Sequence, residues 1–310
     1  MTLPAGYAVR PATEDDVDAI VAVAIAYDVA DLGRADTARE HVLDGFHVRG
    51  FDAGDDSWLV LDRRGNPVAF GLVETEPIGV IGAFGRVHPE HWGRGIGAFL
   101  LGTMESRAAR IARDRAEDRV MHNAVTSTDA AARRLLDDRG YGLVRFFWHM
   151  ERSLRRADAR IVPDASAFDL RVAEGEDDLR AARDALDEAF RGHWMLQPWA
   201  FEDWRRHVAE ASVSILMASA GHEVAGVVTW MSTSAGGWVE EVGVREPYRG
   251  RGLGALLLRH AFARLADAGV RDVRLNVDAQ NATGATRLYE RVGMRVRREW
   301  LVYEKPVASG

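Results

Sequence analysis

Residues 248–260 read YRGRGLGALLLRH. Three glycines and two arginines fall within seven residues, and an apolar helical pattern begins at once. A connection between a strand and a helix needs one residue of unusual backbone angle, not three glycines flanked by arginines. Such a loop instead lets backbone N–H groups converge on an anion at a helix start, where the helix adds about half a positive charge. A P-loop is excluded, because no Gly-Lys-Ser/Thr follows. The run GRGLGA (250–255) also fits the dinucleotide fingerprint G-x-G-x-x-G/A, with Asp278 on the next strand. That fingerprint opens its domain after the first strand. Here the pattern of three strands and two helices comes first, so a bound pyrophosphate of another kind is the better reading.

The loop has a twin. PEHWGRGIGAFLLGTMESRA starts at Pro89 and EPYRGRGLGALLLRHAFARL at Glu246. Gly93, Gly95 and Gly97 align with Gly250, Gly252 and Gly254 at an offset of 157. Further on, LLDDRGYGL (135–143) aligns with LYERVGMRV (288–296) at an offset of 153. Offsets near half of the 310 residues indicate a duplicated domain. Each half reads as a strand, two helices, a hairpin, a third strand that ends at the glycine loop, a long helix, a strand, a helix and a last strand. The hairpin turns are RRGN (63–66) and AGHE (220–223). This is an α/β chain of two tandem domains, each a mixed, mostly antiparallel, splayed sheet flanked by helices. The boundaries fall at 1–151 and 168–310, with the polar, proline-containing stretch 152–167 as linker.

Composition narrows the chemistry. The net charge is −7, which argues against general nucleic-acid binding. Lys305 is the sole lysine, so the positive charge is almost all arginine. There is no cysteine, which removes disulfides, thiolate metal sites and cysteine nucleophiles, and the histidines lack ligand spacing, so no metal is expected. The first twenty residues lack the basic and apolar regions of a signal peptide, and no apolar run approaches the ~18 residues of a membrane span. A cytoplasmic protein with no membrane association is the expectation.

Three blocks in order, VEEVGV (239–244), RGRGLG (249–254) and LNVDAQNATGATRLYERVGM (275–294), resemble the GCN5-related N-acetyltransferases across essentially the whole second half. That resemblance implies acetyl-CoA as co-substrate. It implies that the central strand splays beside the glycine loop, with the N–H groups of Val242, Gly243 and Val244 on the thioester carbonyl. The amides of Arg249, Gly250, Arg251, Gly252, Leu253, Gly254 and Ala255 would hold the pyrophosphate. Asn281 and Tyr289 stand where that family often has an Asn and a Tyr. Tyr289 would protonate the leaving thiolate, and Asn281 would serve as a helix N-cap, a cofactor contact or both. Strand alternation puts Trp238, Glu240 and Val242 on one face and Glu241 on the other. Glu240 is then the first candidate for general base, directly or through water, and Glu241 the second. The loop FRGHWMLQPWAFEDW (190–204) would supply the acceptor pocket, with His193 and Trp194 as substrate contacts.

The halves differ. The first glycine loop, formed by Gly93, Arg94, Gly95, Ile96, Gly97 and Ala98, is a possible second CoA site, but Trp92 replaces the leading Arg. Thr128 stands where Asn281 does and Leu136 where Tyr289 does. Its central strand VIGAFGRV carries no carboxylate, and the acidic YDVADLGRADTAREH (27–41) takes the place of the second half's aromatic loop. The first domain is therefore expected to be catalytically silent, and the tandem chain a monomer with a pseudo-dimeric arrangement. The tandem length resembles the mycothiol-synthase type within that family. The general-base position of that type is Trp238 here, so the resemblance carries the fold and not the acceptor. The implied activity is N-acetyl transfer to a primary amine of a small molecule. The rivals are an acetyl-CoA-binding sensor or scaffold without turnover, and a protein N-acetyltransferase.

Overall fold

A computed structural model describes residues 2–48, 50–75, 79–160, 167–194, 199–233, 236–281 and 284–309. The elements of the first half are β1 (Ala8–Arg10), α1 (Val17–Leu32), α2 (Arg39–Phe46), α3 (Ala53–Asp56), β2 (Ser57–Leu61), β3 (Pro67–Thr75), β4 (Val80–Val87), α4 (Ile96–Arg115), β5 (Arg119–Thr126), α5 (Ala130–Asp138) and β6 (Gly142–Ser153). Those of the second are β7 (Asp169–Val172), α6 (Gly175–Ala189), α7 (Phe201–Glu210), β8 (Ser214–Ala220), β9 (Glu223–Thr233), β10 (Gly236–Val244), α8 (Leu253–Asp267), β11 (Asp272–Asp278), α9 (Ala285–Arg291) and β12 (Arg295–Val307). The order matches the pattern read from the residues, with the short α3 added before the hairpin of the first half.

Two compact units result, but their membership departs from a cut at 152–167. One comprises residues 1–146 and 298–310, the other residues 147–297. The last strand of each half has been exchanged. In the first unit β1, β2, β3 and β4 pair antiparallel in succession, β4 pairs β5 in parallel, and β12 pairs β5 antiparallel. In the second, β7, β8, β9 and β10 pair antiparallel, β10 pairs β11 in parallel, and β6 pairs β11 antiparallel. The long helices α4 and α8 make the crossovers that a parallel pair requires.

Side chains specify the exchange. On the β6–β11 ladder Glu151 accepts from Arg274 at 3.1 Å, Ser153 donates to Asp272 at 2.8 Å, and His149 Nδ1 meets Asn276 Oδ1 at 3.0 Å. On the β5–β12 ladder His122 meets Glu304 at 2.9 Å. Met150 is buried in the core of the second unit, and Leu301 and Tyr303 in that of the first. The stretch 152–160 is not a free linker either. It completes β6, buries Leu154, and turns on Asp158, which accepts from Arg152 at 2.6 Å and from the amide of Arg155 at 2.7 Å. Residues 161–166 lie outside the described residues.

Each sheet carries core on both faces. In the second unit α8 and α9 cover one face over Leu257, Phe262 and Val273, while α6 and α7 cover the other over Leu186, Met217 and Val227. Gly243 sits under α6, where an added Cβ would lie 2.9 Å from Leu186 Cδ2 and 3.0 Å from Ala189 Cβ. Gly243→Ala is expected to lower stability by about 1–3 kcal/mol through overpacking. A urea titration measures this, and an unchanged midpoint would show that α6 can shift freely.

Candidate active site

The second glycine loop leaves a helix start with open amides. Gly252 adopts φ +80° and forms the N-cap of α8, where open space would otherwise receive a side chain. The first helical bond runs from the Leu256 amide to the Gly252 carbonyl at 3.0 Å. The amides of Leu253, Gly254 and Ala255 therefore point out of the helix start without helical partners. The Arg249 amide is already committed to the Glu246 carbonyl, at 3.1 Å. Its side chain is committed too. Nε donates to the Val244 carbonyl at 3.0 Å and Nη2 to the Ala189 carbonyl at 2.9 Å. Arg249 thus pins the loop to the end of the central strand and to α6, and it is not aimed at a ligand. The Arg251 guanidinium lies over the Tyr248 ring, 5.6 Å from its centroid. Gly254 has a packing role, because a Cβ there would stand 2.9 Å from Leu288 of α9.

Beside the loop the sheet opens. β10 and β11 pair only at Gly237–Val273 and Trp238–Arg274, while β10 stays paired to β9 as far as Val244. From Val239 onward one edge of β10 is free of β11. The Arg245 amide donates to the Ala225 carbonyl on the β9 side, at 3.0 Å. Successive amides alternate in direction. Hence Gly243 N–H faces β9, and Val242 and Val244 present theirs to the opening. Of the three amides expected to meet a thioester carbonyl, two face the gap and Gly243 does not.

A β-bulge takes Glu240 off the face expected for it and leaves Glu241 opposite Val242, as alternation predicts. Val239 pairs with Trp230 and Glu241 with Thr229, which leaves Glu240 as the extra residue. Glu240 and Glu241 then both turn to the α6–α7 face. Val242 packs on the α8 side, so Glu240 does not share its face as plain alternation predicts. Glu240 Oε1 sits 2.9 Å from His207 Nε2 on α7. Glu241 lies 3.3 Å from the buried Arg183 guanidinium of α6. Burial pushes the Glu241 carboxyl above the usual carboxylate range, with Arg183 opposing.

The remaining residues converge from several elements. Tyr289 of α9 is buried in the core, its hydroxyl pushed up to about 12 by burial alone. Asn281 is not the cap of α9, because Gly284 holds that position. Its Nδ2 instead donates to His193 Nε2 at 3.1 Å, so a predicted cofactor residue and a predicted substrate residue meet. The Trp194 ring stands 6.0 Å from Phe147, and the Trp238 ring 5.6 Å from His149. Both partners lie on the exchanged strand β6. His207, Arg183, Phe147 and His149 were missed in the residue reading. Only the i, i+3 and i, i+4 spacing of α6 and α7 hinted at the first two. The part of the acceptor loop at 195–198 lies outside the described residues.

The first unit repeats this loop geometry. Gly95 takes φ +85° as N-cap of α4, and the Phe99 amide bonds the Gly95 carbonyl at 3.0 Å. Trp92 is not a loss. Its Nε1 donates to the Val87 carbonyl at 2.7 Å, the bond that Arg249 makes to Val244. β4 and β5 pair only from Val80–Val120 to Ala83–Asn123, then part. The His88 amide donates to Val68 at 2.8 Å on the β3 side, so Gly85 and Val87 present theirs to the gap. A cleft of about 570 Å³ fills that gap, and its lining includes Gly93, Gly95, Ile96 and Gly97 of the loop and Tyr27 and Asp31 of α1. Leu136 is buried where the second unit has Tyr289. Among the described residues there is no cluster of three metal-ligating side chains, and no helix is long and apolar enough to cross a membrane.

Comparison with known proteins agrees with this geometry. The model of the acetyltransferase (GNAT) family matches residues 17–141 and 179–294. A mycothiol acetyltransferase of Corynebacterium aurimucosum is 42% identical over 73 residues, 24% of this chain and 24% of that protein. The matched stretch thus spans about a quarter of that relative's length. A GCN5-related N-acetyltransferase from Sphaerobacter thermophilus is similar over 100% of this chain and 98% of its own, with TM-score 0.83 and 28% identity. A tandem GNAT protein from the clavulanic acid biosynthesis pathway shares the fold at TM-score 0.75, covering 98% and 99%, with 16% identity.

Proposed function

The chain belongs to the acetyltransferase (GNAT) family, and from that premise we propose that its second unit transfers an acetyl group from acetyl-CoA to a primary amine of a small molecule. The observation that carries this reading is the gap between β10 and β11, flanked by an unbonded helix start and by two carboxylates. The amides of Leu253 to Ala255 suit a pyrophosphate. The outward amides of Val242 and Val244 suit a carbonyl that becomes an oxyanion. Glu240 with His207 forms a proton-accepting pair on the α6–α7 face, and the amine would lose its proton there before attack. Glu240 stands as the first candidate through its contact with His207, and Glu241, raised by burial but held by Arg183, as the second. The amine nitrogen then bonds to the acetyl carbon, the carbon–sulfur bond breaks, and Tyr289 gives its proton to the thiolate. With its hydroxyl held near 12, Tyr289 remains an acid throughout the neutral range. Asn281 and His193 would border the site together.

Release of free thiol from acetyl-CoA, measured over a panel of small primary amines and of peptides, tests the reading. At least one small amine is expected to support turnover. Tyr289→Phe is expected to lower kcat by about 10²-fold with little change in KM. Turnover with peptides alone would make the protein a protein N-acetyltransferase. Tight acetyl-CoA binding with no turnover on any amine would make it a sensor. The first unit is read as a second acyl-CoA site, because its cradle and cleft repeat those of the second.

A further inference from the structure

The second unit carries a cleft apart from its glycine loop. It encloses about 780 Å³, and its lining comes from the end of β6, from α8, from the end of α9 and from the start of β12. None of residues 249–255 lines it. The β6–β11 register sets Ser153 and Arg152 opposite Asp272 and Val273, at the start of β11. The gap between β10 and β11 opens toward the other end of that strand, where Asp278 lies about 20 Å further on.

Six arginines line this cleft. Arg152 is fixed in place by the protein. Its Nη1 donates to the Val292 carbonyl at 2.9 Å and its Nη2 to Asp158 at 2.6 Å, and the guanidinium lies 5.1 Å from the centroid of the Phe262 ring. The other five, Arg155, Arg259, Arg291, Arg295 and Arg297, are exposed. Among the described residues their guanidiniums make no hydrogen bond and no ion pair. One carboxylate lines the cleft, Glu151, and it accepts from Arg274 at 3.1 Å. A chain of net charge −7 thus gathers five open cations around one hollow. Like charges so placed repel one another and add nothing to the fold, and a bound anion reverses the sign of that term.

We propose that this cleft binds a small molecule that carries two or three phosphate groups, held by the open guanidiniums of Arg155, Arg259, Arg291, Arg295 and Arg297. The guanidinium fork matches phosphate oxygens in pairs. A phosphate ester carries about 1.5–2 negative charges near neutrality, so two or three of them answer five arginines, and a single carboxylate does not. A hollow of this size encloses a small molecule. A nucleic acid is met by cations set in a stripe or along one helix, whereas these come from separate elements around a concavity. The site stands independently of the acetyl transfer proposed above.

Inorganic tripolyphosphate and fructose 1,6-bisphosphate, titrated calorimetrically into the full-length protein, test this, with tricarballylate as the carboxylate control. At least one phosphate probe is expected to bind about tenfold or more tightly than tricarballylate. The tighter of the two tells linked phosphates from separated ones. Arg259→Gln/Arg295→Gln is expected to weaken its tightest binding by about 10–100-fold. Arg63→Gln/Arg64→Gln removes the same charge from the exposed first hairpin turn and is expected to change it by less than about twofold. Unchanged thermal midpoints show that both variants are folded. Binding that survives Arg259→Gln/Arg295→Gln places the phosphate elsewhere, for example on a glycine loop, and overturns the site. So does equal weakening by the two arginine pairs, equal binding of tricarballylate, or binding of neither phosphate probe. Tighter binding of a single-stranded oligonucleotide than of either probe overturns the small-molecule class.

Discussion

Gly252→Trp is expected to abolish the acetyl-CoA adduct of the second unit in native mass spectra and to leave any adduct of the first unit in place. Two effects add. Gly252 holds φ +80°, a backbone conformation that strains any L side chain. The indole would also stand over the helix start where the amides of Leu253, Gly254 and Ala255 point outward. Each charge-assisted bond to a phosphate is worth about 1.5–3 kcal/mol, so losing two or three weakens binding by about 10²-fold or more. Gly95→Trp is the matched variant of the first unit, since Gly95 holds the same place and angle in α4. Two adducts in the wild type, each lost with its own variant, are the expected result. One adduct that survives both substitutions would mean that the pyrophosphate does not sit on these loops.

The second large effect concerns where the chain can be cut. A fragment of residues 168–310 is expected to be insoluble or unfolded, although it is one sequence repeat. It lacks β6, so the β11 edge and the core around Val273, Leu275 and Val277 lose their cover. It also carries β12, whose Leu301 and Tyr303 belong in the core of the other unit. An exposed edge of that length with apolar neighbours invites aggregation. A fragment of residues 147–297 contains every strand of its sheet and is expected to fold, with a cooperative urea transition. Soluble, cooperative folding of 168–310 with failure of 147–297 would show that each half closes on its own last strand.

Much of this protein was legible in its residues. The duplicated glycine loops carried the tandem organisation, and the alternation of apolar runs carried the order of the elements. Both are local properties, fixed by backbone angle and side-chain period. The conformation of Gly252, the role of α8 as crossover helix, and the place of Tyr289 on α9 follow from the same signals.

Three things were decided only in the tertiary structure. The exchange of β6 and β12 leaves no local trace, because either strand satisfies the same backbone ladder and only cross-strand partners such as Glu151–Arg274 and His122–Glu304 choose between them. The bulge at Glu240 is one unpaired residue, yet it puts Glu240 on the α6–α7 face beside Glu241. The Asp31 carboxylate reaches the first cleft from a helix that lies more than fifty residues before the glycine loop. A period of two or 3.6 residues cannot see any of these. Sequence periodicity sets which way a side chain faces within its own element, and the tertiary structure alone sets what it then meets.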